Sequence, residues 1–331
     1  PDGDSAWENW WKVSNDGTSP RHIYFMGKDN IPFHTVIWPA IIMGMNSTAS
    51  GNQISSLPAP GDLALESNVS SNEYLMLQGG QFSKSRKHAV WLPSFLEKYD
   101  ADSLRYYLSI NMPETHDTDF RWNEFVDRVN NELIGTYGNF VHRVMTLTHR
   151  LPHSGSNPLI EYDDPASHPE IIDESMKILE SAISSMERQR FKEALRSIMG
   201  IAQIGNVLLQ NSAPWKYMNS DDSEERKKSL SSLAMAWRLC RSLSILTRPF
   251  MPFQSDRLWK MLGEGSDIDS ILWDDSLGTD NTLNWCPDSP QPLFSRLDLD
   301  EIIADEMSLV EDSNINDRDH SPSDGVDYIE F

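Results

Sequence analysis

The sequence predicts an α/β half followed by an all-α half, and three observations carry that reading. A short apolar run over residues 23–26 ends at Gly27 and leads into an apolar segment with proline in its first turn, the pattern of a strand, a loop and a helix. After Asp119, apolar residues recur every three or four positions, the spacing of one buried helix face. Four prolines between 152 and 169 then interrupt that period before it resumes, so the second half reads as several packed helices.

Taken in order, residues 23–26 form the first strand candidate and 32–43 the first helix. Residues 46–72 are rich in Ser, Asn, Pro and Gly without periodicity and are expected to form a long surface excursion. A second strand candidate, 73–77, reaches the Gly79-Gly80 turn. In the second half, Phe125, Val129, Leu133, Tyr137, Phe140, Val144 and Leu147 mark one long amphipathic helix. Further helices are expected over 170–186, 191–210 and 223–246, with a short one ending at 262. From about 311 the chain is acidic and poor in large apolar groups, the composition of a disordered tail. The expected organisation is 1–118, 119–265, an extension over 266–310 packing on the body, and the tail over 311–331.

Composition narrows the function classes. With 331 residues and 39% hydrophobic content the chain can bury two cores. Cys240 and Cys286 form no paired spacing, so neither a disulfide framework nor a thiolate metal site is expected, and a reducing cytoplasm fits. No apolar run is long enough to span a bilayer, so no membrane partner is expected. The net charge of -22 argues against a nucleic-acid binder when taken alone. Its distribution weakens that argument, because from Asp298 onward twelve acids face only Arg318, whereas residues 81–150 carry nine bases and nine acids.

Residues 81–86, Gln-Phe-Ser-Lys-Ser-Arg, follow the two glycines. Alone they read as a solvated surface turn or as a mobile phosphate-handling loop, with Lys84 the cation, Ser83 and Ser85 the donors, and Arg86 and Lys87 adding potential. Upstream lies Phe25-Met26-Gly27-Lys28-Asp29-Asn30-Ile31-Pro32-Phe33-His34, leading to Trp38-Pro39-Ala40. Downstream lies Asp100-Ala101-Asp102-Ser103-Leu104-Arg105-Tyr106-Tyr107-Leu108. In that order and spacing these segments resemble the methionyl-tRNA synthetase family of class I aminoacyl-tRNA synthetases, over about residues 7–262, with 81–85 resembling the KMSKS signature. Gln81 departs from it, standing where the signature has its first lysine.

The resemblance implies the C-terminal half of a Rossmann-type catalytic domain followed by an α-helical anticodon-binding bundle. It implies ATP-dependent activation of methionine and its transfer to tRNA(Met), with ATP taken as its Mg2+ complex and Lys84 the catalytic cation. Gln81, Ser83, Lys84, Ser85 and Asp29 would bind ATP, and Asp29, His34 and Trp38 would border methionine and its adenylate. Asn139 and Arg143, four residues apart on one helix face, and Trp215 after Pro214 would read the anticodon by hydrogen bonding and stacking. Without the resemblance, Asp29 is equally a helix cap, His34 a core histidine, Asn139 and Arg143 an exposed face, and Trp215 and Trp38 core aromatics. The family's ATP-cradling HIGH motif and zinc knuckle precede the matched region, so zinc is expected only in an upstream half, and this chain alone is expected to be inactive and monomeric. Two alternatives remain: a class I synthetase for another aliphatic amino acid, and a non-catalytic anticodon-binding fragment.

Overall fold

In a computed structural model of the chain, the described residues are 6–50, 57–152, 155–278, 283–286 and 288–305, without the side chains of 48–50. They fall into two compact units, Pro1–Leu75 with Met112–Thr118, and Met76–Asn111 with Asp119–Phe331. The acidic tail over 311–331 lies outside the described residues.

The first unit is built on a β-α-β arrangement. Helix α1 (Glu8–Trp11) precedes strand β1 (Ile23–Gly27), which runs parallel to β2 (Asn68–Asn72) in the register Ile23↔Asn68 to Gly27↔Asn72. Between them the chain turns through a 3-10 turn (Lys28–Asn30) and a π-helical turn (Phe33–Ile37) into α2 (Trp38–Ser50).

The stretch 46–72, expected to be an irregular excursion, is corrected at both ends, where α2 continues to Ser50 and β2 occupies 68–72. Residues 63 and 64 are also tied down, while 51–56 lie outside the described residues. The Asn46 amide donates to the Leu63 carbonyl at 3.0 Å and accepts from its N–H at 2.9 Å, while Ala64 N–H donates to Trp11 O at 2.8 Å. The polar segment Asn68-Val69-Ser70-Ser71-Asn72 has little strand propensity of its own; pairing with the apolar β1 imposes the conformation.

The chain passes between the units along β3 (Leu75–Leu77) and β4 (Thr118–Phe120), which pair with each other. The second unit is helical: α3 (Leu92–Lys98), α4 (Ala101–Ile110), α5 (Trp122–Arg128), α6 (Asn139–His149), α7 (Pro169–Glu187), α8 (Phe191–Ser212), α9 (Pro214–Tyr217), α10 (Ser223–Thr247) and α11 (Pro252–Met261). Asp100 caps α4 by accepting from Ser103 N–H, and Asp222 caps α10 by accepting from Glu224 and Glu225 N–H.

Helix α10 is the axis of this unit, with every residue from Ser229 to Thr247 buried. Its two buried guanidiniums are therefore paired. Arg238 meets Asp163 at 2.7 and 2.5 Å, and Arg241 meets Glu264 at 2.9 Å while lying 5.0 Å over the Trp259 ring. Between α6 and α8 the phenyl of Phe140 lies against Gly205 so closely that a Cβ there would sit 2.2 Å from the ring.

The single long helix expected after Asp119 is continuous from Trp122 to His149, but its middle, Val129–Gly138, is π-helical, with Thr136 Oγ1 bonding Asn131 O five residues back. The sequence contains the reason. Phe125, Val129, Leu133 and Tyr137 are all fully buried and follow at steps of four. In an α-helix four residues overshoot a turn by about 40°, so three such steps leave the buried face, whereas a wider turn keeps them on it.

Candidate functional site

In the first unit, the carboxyl end of β1 delivers Asp29, His34 and Trp38 to one neighbourhood. An aromatic-walled cavity of about 490 Å³ is lined by Trp11, Tyr24, Phe25, Phe33, His34 and Trp38, with Ile23, Ile37 and Ile41 completing it. Two of the expected residues line it, His34 and Trp38, while Asp29 does not. Trp38 Nε1 donates to Tyr24 Oη at 3.0 Å, fixing the indole as a wall. His34 Nδ1 donates to the Asn30 carbonyl at 3.0 Å, which orients the ring. The ring also meets Tyr24 edge-on at 5.9 Å. His34 is thus not a buried core histidine, and Asp29 caps no helix.

Asp29 Oδ2 accepts from Tyr74 Oη at 2.5 Å. Its neighbour Lys28 pairs instead with Glu73 and, at 3.2 Å, with Asp117, and lies 4.2 Å from the centre of the Tyr74 ring. Chiefly because it donates to Asp29, Tyr74 holds its phenol proton above the ordinary range.

In the second unit, Ser83 and His88 exchange both backbone hydrogen bonds at 2.9 Å, closing residues 83–88 into a turn with Lys87 at φ 55°. His88 Nε2 donates to Leu77 O at 2.7 Å, and a side chain at Gly80 would meet that imidazole at 3.1 Å. In this structure the loop is a turn joined to β3 through His88. Within it Ser83 Oγ and Ser85 Oγ are 3.3 Å apart, and Ser83 Oγ accepts from Arg86 N–H. Gln81 and Lys84 are exposed, and neither side chain has a hydrogen-bond or ion-pair partner among the described residues. The turn presents a free ammonium beside two hydroxyls.

Farther along this unit, Ala213 adopts left-handed backbone at φ 40°, which breaks α8 from α9 and places Trp215 in the first turn after Pro214. Trp215, 39% exposed, lies 5.0 Å from the Arg143 guanidinium, a cation–π stack on the surface. Asn139 stands one turn before Arg143 on the same face of α6. Of the three expected residues, Arg143 and Trp215 touch, and Asn139 makes no hydrogen bond to either among the described residues.

Residues 2–145 match the family model described as tRNA synthetases class I (M), and residues 169–311 match the anticodon-binding domain of tRNA ligase. The methionine–tRNA ligase of Roseiflexus sp. (strain RS-1) is 36% identical over 332 residues, covering 92% of this chain and 51% of that protein. That of Chloroflexus aurantiacus is 35% identical, covering 92% and 53%. The chain belongs to the methionyl-tRNA synthetase family of class I. It spans about half the length of the curated relatives it matches.

Among solved structures, the methionyl-tRNA synthetase of Mycobacterium tuberculosis in complex with methionyl-adenylate aligns with a TM-score of 0.68 at 20% identity, over 89% of this chain and 53% of that one. The fold is thus that of the class I methionyl-tRNA synthetases, with part of the Rossmann-type catalytic domain followed by the helical anticodon-binding region. No helix among the described residues is long and apolar enough to cross a membrane.

Two groups of residues beside the candidate sites lie outside those the motifs nominate. Tyr74 and Lys28 flank Asp29 through contacts 45 residues apart, which no local pattern reveals. His142, Thr146 and Arg150 continue the face that carries Asn139 and Arg143, a tract readable from the three-and-four spacing alone.

Proposed function

We propose that this chain supplies the C-terminal part of a methionine–tRNA ligase, which activates methionine with ATP and transfers it to tRNA(Met). The observation that carries the reading is the aromatic-walled cavity at the end of β1, into which His34 and Trp38 project. A thioether gains from aromatic edges on several sides, and the largely apolar lining favours an apolar side chain.

In the first step the methionine carboxylate attacks the α-phosphate of ATP, taken as its Mg2+ complex, and pyrophosphate leaves. Negative charge grows on the leaving phosphates, and the unpaired ammonium of Lys84 supplies a positioned countercharge, with Ser83 and Ser85 as donors. Gln81 contributes a hydrogen bond where the signature has a second cation. Asp29 has one carboxylate oxygen without a partner among the described residues and serves as acceptor for the ribose or the substrate ammonium. The second step moves the methionyl group to the 3′-terminal ribose of the tRNA. Its anticodon is read by Arg143 and Trp215 through stacking and by Asn139 through base-edge hydrogen bonds. Activity belongs to a longer polypeptide that also supplies an upstream half, acting in the cytoplasm as a monomer.

Methionine-dependent exchange of pyrophosphate into ATP by that polypeptide tests the catalytic reading; exchange supported by leucine or isoleucine but not methionine would overturn it. Binding of this chain to a CAU anticodon stem-loop and to an anticodon-swapped control, at matched salt, tests the second site. Selective binding lost on Trp215→Ala is expected, and equal binding of both stem-loops would withdraw the assignment. CAU binding without any exchange activity would favour the non-catalytic anticodon-binding alternative.

A further inference from the structure

Tyr74 is an unusual surface residue, because each of its polar groups and its ring is committed. Its N–H donates to Asp117 at 2.9 Å, its carbonyl accepts from Thr118 N–H at 2.9 Å, its ring covers the Lys28 ammonium at 4.2 Å, and its hydroxyl donates to Asp29 at 2.5 Å. Tyr74 is 38% exposed, and its hydroxyl is committed to a surface carboxylate and not to the core. What it fixes is one oxygen of Asp29.

The treatment of Lys28 points the same way. As the residue before Asp29, it is the nearest cation available to neutralise that carboxylate. Glu73 and Asp117 take its ammonium instead, and Asp29 makes no ion pair among the described residues. Asp29 is therefore left without a paired cation, is restrained through Oδ2 by a neutral donor, and presents Oδ1 without a partner among the described residues. A carboxylate held in this way suits a ligand group that brings its own hydrogens, either an ammonium or a ribose hydroxyl.

We propose that Tyr74 is a positioning residue for the adenylate-forming site, holding Asp29 by its hydroxyl while the Glu73–Lys28–Asp117 cluster keeps the competing cation away. The inference rests on the reading of Asp29 as a substrate contact. In the sequence, Tyr74 lies between the two segments that suggested the site and belongs to neither motif. Its involvement emerges only when β1 and the β2–β3 connection are brought side by side.

The test is a double-mutant cycle on methionine-dependent pyrophosphate exchange, in the polypeptide containing the upstream half, with Tyr74→Phe, Asp29→Asn and the pair. Tyr74→Phe keeps the ring over Lys28 and removes only the hydroxyl, so an unchanged melting temperature is expected. Losing one hydrogen bond to a charged group predicts a fall of roughly 10-fold in kcat/KM, and the pair should be no slower than Asp29→Asn alone. A Tyr74→Phe rate equal to the parent, while Asp29→Asn is impaired, would overturn the positioning role and leave the site reading standing. Multiplying losses would overturn it as well, since they would mean independent contributions. If Asp29→Asn has no effect, the substrate contact itself fails. Titration of the Tyr74 phenol in this chain checks the contact without catalysis: the proton should be lost at lower pH in Asp29→Asn, and an unmoved titration would refute the hydrogen bond.

Discussion

The junction of α4 with α11 predicts a contribution to stability that is lost as pH rises through about 6. Helix α11 begins at Met251-Pro252 with no side-chain cap of its own. Asp102 on α4 supplies one remotely, its Oδ2 accepting from Gln254 N–H at 2.7 Å, while Oδ1 is buried with no partner. Burial dominates the balance and, with Asp100 adding like charge, pushes the Asp102 carboxyl up from 3.8 to about 6 against the lowering effect of the Gln254 N–H. The folded chain thus binds this proton more tightly than the unfolded chain. Stability from Asp102 is fully present below pH 3.8 and is lost as pH rises through about 6.

At about 1.4 kcal/mol for each pH step, the whole window is worth about 3 kcal/mol. Roughly half of it falls between pH 5 and 8, above the chain's isoelectric point near 4.7. Asp102→Asn keeps an acceptor for Gln254 N–H and removes the titration. Relative to the parent, the variant should gain about 1.5 kcal/mol in denaturant unfolding of the helical unit between pH 5 and 8, with groups common to both cancelling. A difference that stays flat across this range, or a carboxyl ¹³C titration of Asp102 near 4, would refute the reasoning.

Four other outcomes are expected. Gly205→Ala forces Phe140 out of its place between α6 and α8 and should cost about 1–3 kcal/mol by thermal unfolding. Arg238→Ala removes the buried guanidinium that pairs the half-buried Asp163 and should cost about 3 kcal/mol, whereas Arg238→Met combined with Asp163→Leu should cost much less, a contrast that chemical denaturation resolves. Ala213→Gly relieves left-handed strain and should stabilise by up to about 1 kcal/mol in the same assay. Lys84→Ala should leave the melting temperature unchanged and lower pyrophosphate exchange by roughly 100-fold or more, as loss of one preorganised charge-stabilising group does.

The helical half was legible because its period is dense and its limits are chemically marked, as at Asp222 before α10 and Pro252 at the start of α11. Strand β2 was not, since Asn68-Val69-Ser70-Ser71-Asn72 becomes a strand only through its neighbour. Motif spacing nominated the residues of the candidate site, and tertiary contacts supplied their arrangement. Arg143 meets Trp215 across 72 positions, and Tyr74 reaches Asp29 across 45. The attachment of the Ser83–His88 turn to β3 runs through His88 and Leu77 O, a contact that the glycines and serines around it do not announce.

The π-helical stretch Val129–Gly138 gives the long helix one place where its length is negotiable. Hydrogen bonds that close five residues back store surplus chain, so a residue withdrawn there can be absorbed by tightening to α geometry. In the α-helical part upstream of Arg143, the same deletion would swing everything downstream by about 100° and carry Arg143 away from Trp215. Variation in chain length between Trp122 and His149 is therefore best tolerated within this one segment, upstream of the face that carries Asn139 and Arg143.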